Sequence, residues 1–451
     1  MGARRVAVAL LAAWLCSCVA LQPEARRFAG WQRLAEDLRE LKFSRLFGLA
    51  TDPVRFEWIS QPQIPALVRA EMQRSYPAEY VEAYQAAYKA LGFLPPDLDL
   101  VETLLALDQD QVVGMYVIAR DTMYVRSDLP PGADDLGPIV VHELIHALQA
   151  RHFGGSIGLL RGLRRNEDLS AAIAAAVEGD ASLTMLGVPT EYGSSKRDLA
   201  TAQHMRKMLL IDLEHPTGAF ARAPLLLQHS LLFPYAQGVI LAARRYEAAG
   251  NAGLDRMLSD PPLSTARVYD PDDTEPVEFI ALPRPGLERA LAGRGCEPGH
   301  DNVAGVMALR ALLEEHHPDL DPRRVRLVLR GWSGDRFVHI ACGKRPEFLW
   351  LTRWRSVVAA ERFRSIYSEI APQIAELVGY ADPPLASRIG RQVVVSSAGV
   401  RDLVSLLSDA SEVRSYASFA EWVADDCFPE SPCPGPKEPL QIRYRSQRAR
   451  P

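Results

Sequence analysis

The sequence predicts a helix-rich α+β protein, and three observations carry that expectation. Apolar residues recur at helical spacing through most of the first 275 positions, short apolar runs of strand type alternate with helices after residue 276, and 48% hydrophobic content over 451 residues suffices for a large core. With 51 basic against 56 acidic residues and no long run of either sign, the chain has a net charge of −5, which argues against nucleic acid as a partner.

The chain divides into five stretches. Residues 1–18 have a basic start, a short apolar centre and small residues at the end, which is the make-up of an export signal. They end in Leu15-Cys-Ser-Cys18, which resembles a bacterial lipobox and makes Cys18 the candidate for lipidation. Residues 19–62 hold an amphipathic helix with Phe28, Trp31, Leu34, Leu38 and Leu41 on one face, followed by an irregular link. Residues 63–275 form the expected main domain, 276–428 a second α+β region packed against it, and 429–451 a tail rich in Pro, Arg and Gln. No later segment reads as a membrane span, so the lipid anchor is the expected membrane contact. The chain is expected to be exported, anchored in a cell envelope or secreted. Of the cysteines beyond the leader, Cys296, Cys342, Cys427 and Cys433 make an even set suited to disulfides, with a pairing the sequence does not give.

Within the main domain, residues 64 to 92 read as a helix broken near Pro77 with a tyrosine face at Tyr76, Tyr80, Tyr84 and Tyr88. Gln111 to Ile118 and Met123 to Arg126 read as a hairpin. Next comes His142-Glu-Leu-Ile-His146, the HExxH pattern, in a run from Gly137 to Gln149 that is apolar on nearly every face. Asp134 or Asp135 can cap this helix and Pro138 fits its first turn. Residues four apart share a helix face, so His142 and His146 can aim ring nitrogens at one ion, while Glu143 stands beside it as a general base for water. A buried carboxylate and two buried imidazoles need a partner, and a divalent metal supplies it.

Two histidines leave a catalytic zinc one protein ligand short. Glu178 lies on the next apolar helix, at 168 to 186, where Ala174, Ala175 and Ala181 would permit close approach to the first helix. Glu167 is the alternative ligand. Helices follow at about 198 to 215 and 234 to 249, and between them Ser230-Leu-Leu-Phe-Pro-Tyr-Ala-Gln-Gly238 reads as a bend that presents Tyr235, with His229 nearby, as a donor to a developing oxyanion. In the second region, Val277 to Ala281, Phe337 to Cys342 and Phe348 to Leu351 read as strands, 302 to 316 and 357 to 370 as helices, and Gly331 to Arg336 as a turn. His316-His317 reads as a solvated helix end.

His142-Glu-Leu-Ile-His-Ala-Leu-Gln149 with Val177-Glu-Gly-Asp-Ala181 resembles a family of exported bacterial zincin-like proteins in which an HELxHALQ helix precedes an EGDA helix. Leu231 to Gly238, Pro261 to Thr265 and Gly331 to Arg336 resemble further segments of it, so the likeness spans about 70 to 370. The resemblance implies a zincin-like core with a gluzincin-type site: His142, His146 and Glu178 as ligands to Zn2+, and Glu143 as base. Zincin peptidases set a strand beside the site helix, which fits the hairpin ahead of it. The expected activity is that of a zinc metallopeptidase acting on a peptide or protein. A cell-wall amide hydrolase is the alternative within the same chemistry, and a non-catalytic metal-binding scaffold the alternative outside it.

Overall fold

The computed structural model describes residues 23–43, 45–46, 49–50, 54–111, 114–127, 136–154, 163–189, 196–343, 345–430 and 433. The leader with Cys18, the capping candidates Asp134 and Asp135, and the tail beyond Cys433 lie outside them. The architecture is helix-rich α+β, as the sequence predicts.

The motif helix, Leu136–His152, is buried because it has no polar face to offer solvent: Val140, Val141, Leu144, Ile145, Ala147 and Leu148 are all fully enclosed. At about 1.5–3 kcal/mol for each large aliphatic side chain, this helix is among the strongest contributors to the core. It is covered on one side by the N-terminal helix, Pro23–Arg39, through Phe28, Trp31, Leu34 and Leu38. A small sheet covers another side, with β3 (Arg55–Ile59), β4 (Gly114–Val117) and β5 (Thr122–Arg126) in the order β3-β5-β4. The link after the first helix is therefore not irregular throughout. It holds the short pair β1 (Arg45–Leu46) and β2 (Leu49–Ala50), then β3, which runs parallel to β5 and brings a distant segment against the hairpin. Gln111 ends the helix Leu100–Gln111 rather than opening β4.

On its third side the motif helix meets the helix Glu167–Met185, which packs in turn on Leu225–Ala236 and Gly238–Ala249. The expected bend around Tyr235 is instead the last turn of Leu225–Ala236. Pro234 sits inside that helix, two residues from its end, where little ladder remains for it to interrupt. The stretch Leu225–Ser259 is long and apolar enough to cross a membrane, contrary to expectation, but 61% of its most apolar window is buried inside the protein. That is how the central helix of a large core reads.

The second region is built on an antiparallel sheet of β7 (Glu297–Asn302), β8 (Trp332–Cys342), β9 (Arg345–Trp354), β10 (Leu385–Ile389) and β11 (Gln392–Ser396), in the order β10-β11-β9-β8-β7. Both faces are buried. Phe348, Trp350, Val393 and Val395 join the main core, while Leu349, Leu351 and Val394 join a smaller one. The long helix Val357–Val378 lays Phe363 on Trp354, with ring centroids 4.6 Å apart. A second pair joins β6 (Val277–Ala281) to β12 (Glu412–Tyr416). Gly331 to Arg336 leads straight into β8 over a bulge rather than forming a turn, and Asp335 and Arg336 are buried there. His316 is also buried, bonded to the Gly92 carbonyl at 2.8 Å, so at this helix end His317 and Glu315 meet solvent and His316 does not. The main apolar cluster takes residues from both sides of position 275, which makes the second region part of one core. The cysteines pair as Cys296–Cys342 and Cys427–Cys433.

Candidate metal centre

Three side chains from two helices meet at one point. His142 Nε2 lies 3.1 Å from Glu178 Oε2 and 3.1 Å from His146 Nε2, and His146 Nε2 lies 3.3 Å from the same carboxylate oxygen. A tetrahedral zinc with bonds of about 2.0–2.1 Å separates its ligand atoms by about 3.3–3.4 Å, so this near-equilateral triangle of two nitrogens and one oxygen fits one face of such a site. The set is the one group of its kind among the described residues. All three side chains are mostly buried, with exposures of 10%, 15% and 21%.

The electrostatics show what the cluster demands. Burial works against a charged ring, yet the Glu178 carboxylate pushes the pKa of His146 up to about 10. Burial likewise raises a carboxyl, but the charge on His146 and hydrogen bonds from both rings hold Glu178 well below its ordinary value. Glu178 and His146 thus stabilise each other's charged forms against the cost of burial.

Glu178 reaches that point because its helix can come close on both sides. A Cβ on Gly179 would stand 2.2 Å from the Gly238 carbonyl oxygen, and one on Gly238 would stand 2.2 Å from that of Ala175. Only glycines permit this crossing. The small residues therefore divide their work. Ala175 and Gly179 face the helix Gly238–Ala249, and Ala181 packs with the motif helix. Glu167 does not reach the cluster. It begins the same helix, eleven residues and about 16 Å from Glu178, with burial pushing its pKa up to about 7 near the tyrosine face.

Glu143 stays off the triangle. Its Oε2 accepts a 2.7 Å hydrogen bond from the backbone N–H of Tyr116 on β4, the outer strand of its sheet. The strand packs directly on the motif helix, since a Cβ at Gly114 would stand in ordinary contact with Ile139 and Glu143. Arg151, on the motif helix, fastens the hairpin by pairing with Asp121 at 3.1 Å. Tyr235 stacks near the site, its ring 6.2 Å from that of His142 and 28° from parallel. His229 is turned to Glu314, at 3.2 Å, so of the two donor candidates Tyr235 is the one at the cluster.

Behind the ligands lies a polar chain that the sequence alone did not reveal. His146 Nδ1 meets Gln149 Oε1 at 2.9 Å, and Gln149 Nε2 donates to the Val177 carbonyl and to Asp180 Oδ2, both at 2.9 Å. Asp180 Oδ1 accepts from Arg39 Nε at 2.7 Å, and Arg39 also binds Asp255 at 2.7 Å. Gln149 and Asp180 stand in the conspicuous sequence segments. Arg39 gives no sign in sequence beyond being a cation at the end of an apolar face.

A family model described as a domain of unknown function (DUF8575) matches residues 291–415. This is the region of the five-stranded sheet, and none of the cluster residues falls within it. Comparison with curated proteins finds no match, nor does comparison with solved structures.

Proposed function

We propose that this chain is a zinc-dependent hydrolase of peptide bonds, with His142, His146 and Glu178 as ligands and Glu143 as general base. The observation that carries the reading is the 3.1–3.3 Å triangle of Nε2, Nε2 and Oε2 atoms, with a second carboxylate beside it that is not part of it. A structural zinc site is closed by four protein ligands, whereas three protein ligands leave a position for water and substrate. When bound, the metal supplies Lewis acidity that makes water acidic enough to attack at neutral pH and polarises the scissile carbonyl.

The protein groups do the rest. Glu143, oriented by the Tyr116 N–H, takes the proton of the attacking water and returns it to the leaving amine. Tyr235, whose ring lies beside that of His142, donates to the carbonyl oxygen as it gains charge. Among the described residues β4 pairs on one side only, with β5, so an extended peptide has an edge beside Glu143 to lie against. This arrangement supports the zincin-like reading of the core. The two disulfides support export to an oxidising compartment.

The test measures bound zinc in the wild type, His146→Ala and Glu143→Gln, with activity on a broad peptide library and on peptidoglycan fragments. Zinc at one per chain in the wild type and Glu143→Gln, with hydrolysis only in the wild type, is the expected result. A wild type that takes up no zinc ends the metal reading. Zinc uptake with equal activity in Glu143→Gln ends the assignment of the base.

A further inference from the structure

The two histidines of the triangle are held differently. His142 Nδ1 is buried and meets no hydrogen-bond partner among the described residues, whereas His146 Nδ1 faces Gln149 Oε1. The orientation of that amide is forced. Its nitrogen lies between the Val177 carbonyl and an oxygen of Asp180, both acceptors, so its oxygen must face His146. An acceptor there requires hydrogen on Nδ1, which leaves Nε2, the atom on the triangle, as the nitrogen whose lone pair can bind a metal. Asp180 is fixed in turn by Arg39, and Gln149, Asp180 and Arg39 are all fully buried.

We propose that Gln149, Asp180 and Arg39 form a positioning relay that locks His146 as an Nε2 ligand, so that the docked N-terminal helix sets the metal affinity of a site it does not touch. The inference rests on the metal reading given above. Its physical content is that His146 donates to Gln149 and Gln149 to Asp180, while Arg39 donates to Asp180 from the other side, so the carboxylate ends the chain and fixes its direction. Placing a donor at 180 in front of Gln149 turns its amide over and presents N–H to His146 Nδ1, which favours the tautomer with hydrogen on Nε2. The N-terminal helix is thereby part of the centre: Arg39 is its last residue, Trp31 lies against Gly137 at the start of the motif helix, and the Leu38 carbonyl accepts from Asn251 at 3.2 Å.

The experiment measures zinc affinity by competition with a chromogenic chelator, together with the 15N shifts of His146 in the zinc-loaded protein and a thermal melt of each zinc-free variant. Asp180→Asn and Gln149→Met are each expected to weaken zinc about 10–100-fold, the range found for partners of metal-bound histidines. The double variant Gln149→Glu with Asp180→Asn is expected to recover part of the loss, since one oxygen of the new carboxylate faces the Val177 carbonyl in place of the amide donor. The new carboxylate at 149 still accepts from His146, and the new amide at 180 donates to it while its oxygen still accepts from Arg39. A merely structural role predicts no such recovery of affinity and no change in the 15N pattern of the single variants. Wild-type affinity in folded Gln149→Met, or a double variant no better than Asp180→Asn, overturns the relay while leaving the metal site standing. A wild type that binds no zinc overturns both.

Discussion

The helix Glu167–Met185 buries carboxylates at both of its ends, and the two ends behave in opposite ways. At the start, Glu167 and Asp168 have no cation within ion-pair distance among the described residues. Asp168 is satisfied by the backbone N–H and hydroxyl of Thr265, and burial pushes the pKa of each carboxyl up to about 7. Toward the far end, Glu178 faces two imidazoles and Asp180 faces Arg39, and Glu178 is held well below its ordinary value. Residue type and burial are alike, so neither marks a site. What separates the two ends is whether the surrounding groups complete the carboxylate or converge with it on a further point. The Thr265 donors complete Asp168; His142 and His146 converge with Glu178.

The largest test of that contrast is Arg39→Met. Removing one partner of a fully buried pair costs about 3–5 kcal/mol, because Asp180 is left as an unpaired charge in the core. A large drop in denaturation midpoint with unchanged m-value is expected in urea melts, and a variant as stable as wild type would show that Asp255 and Asp180 are relieved in another way. Next in size is the exchange of the two glutamates. Glu178→Ala removes the proposed third ligand and should weaken zinc by more than the roughly 100-fold upper range seen for indirect partners, whereas Glu167→Ala should leave affinity within about twofold. Equal losses in chelator competition would mean that the triangle is not the metal site.

Much of this was legible in sequence, for identifiable reasons. The HExxH helix and Glu178 stood out because an apolar helix with a few polar positions exposes its exceptions, whereas Tyr235 was read at a bend that is in fact the end of a helix. The strand β7, Glu-Pro-Gly-His-Asp-Asn, has no apolar alternation to read and exists because β8 supplies its partner. β11 has the reverse problem, since Val393, Val394 and Val395 are apolar on both faces and lack the period of two. The choice between Glu167 and Glu178 depended on which end of one helix approaches His142, a tertiary fact set by the Gly179–Gly238 crossing. Arg39 was hidden for the same reason, being 141 residues from Asp180.

That crossing supplies a smaller test. Gly179→Ala places a methyl where the Gly238 carbonyl stands, so the helices must separate, at a cost of about 1–3 kcal/mol for overpacking. Because Glu178 is the preceding residue, zinc affinity should fall together with stability. A variant that melts earlier but binds zinc like the wild type would show that the motif helix, not this crossing, fixes the position of Glu178.

The smallest effect belongs to the carboxylates without cations, and its sign is opposite to that of a salt-bridged acid. Burial raises Glu167 from an ordinary 4.5 to about 7, so between those values the folded state keeps a proton that the unfolded state has released. Stability from this group is complete below pH 4.5 and is lost as the pH rises through about 7. Glu167→Gln keeps the shape without the titration. The melting temperature of the wild type should therefore decline from pH 5 to pH 8 more steeply than that of the variant, with zinc held saturating in both. Asp168 has the same sign and keeps some slope in the variant. Parallel curves would place Glu167 in contact with water or a cation and would remove the distinction between the two ends of the helix.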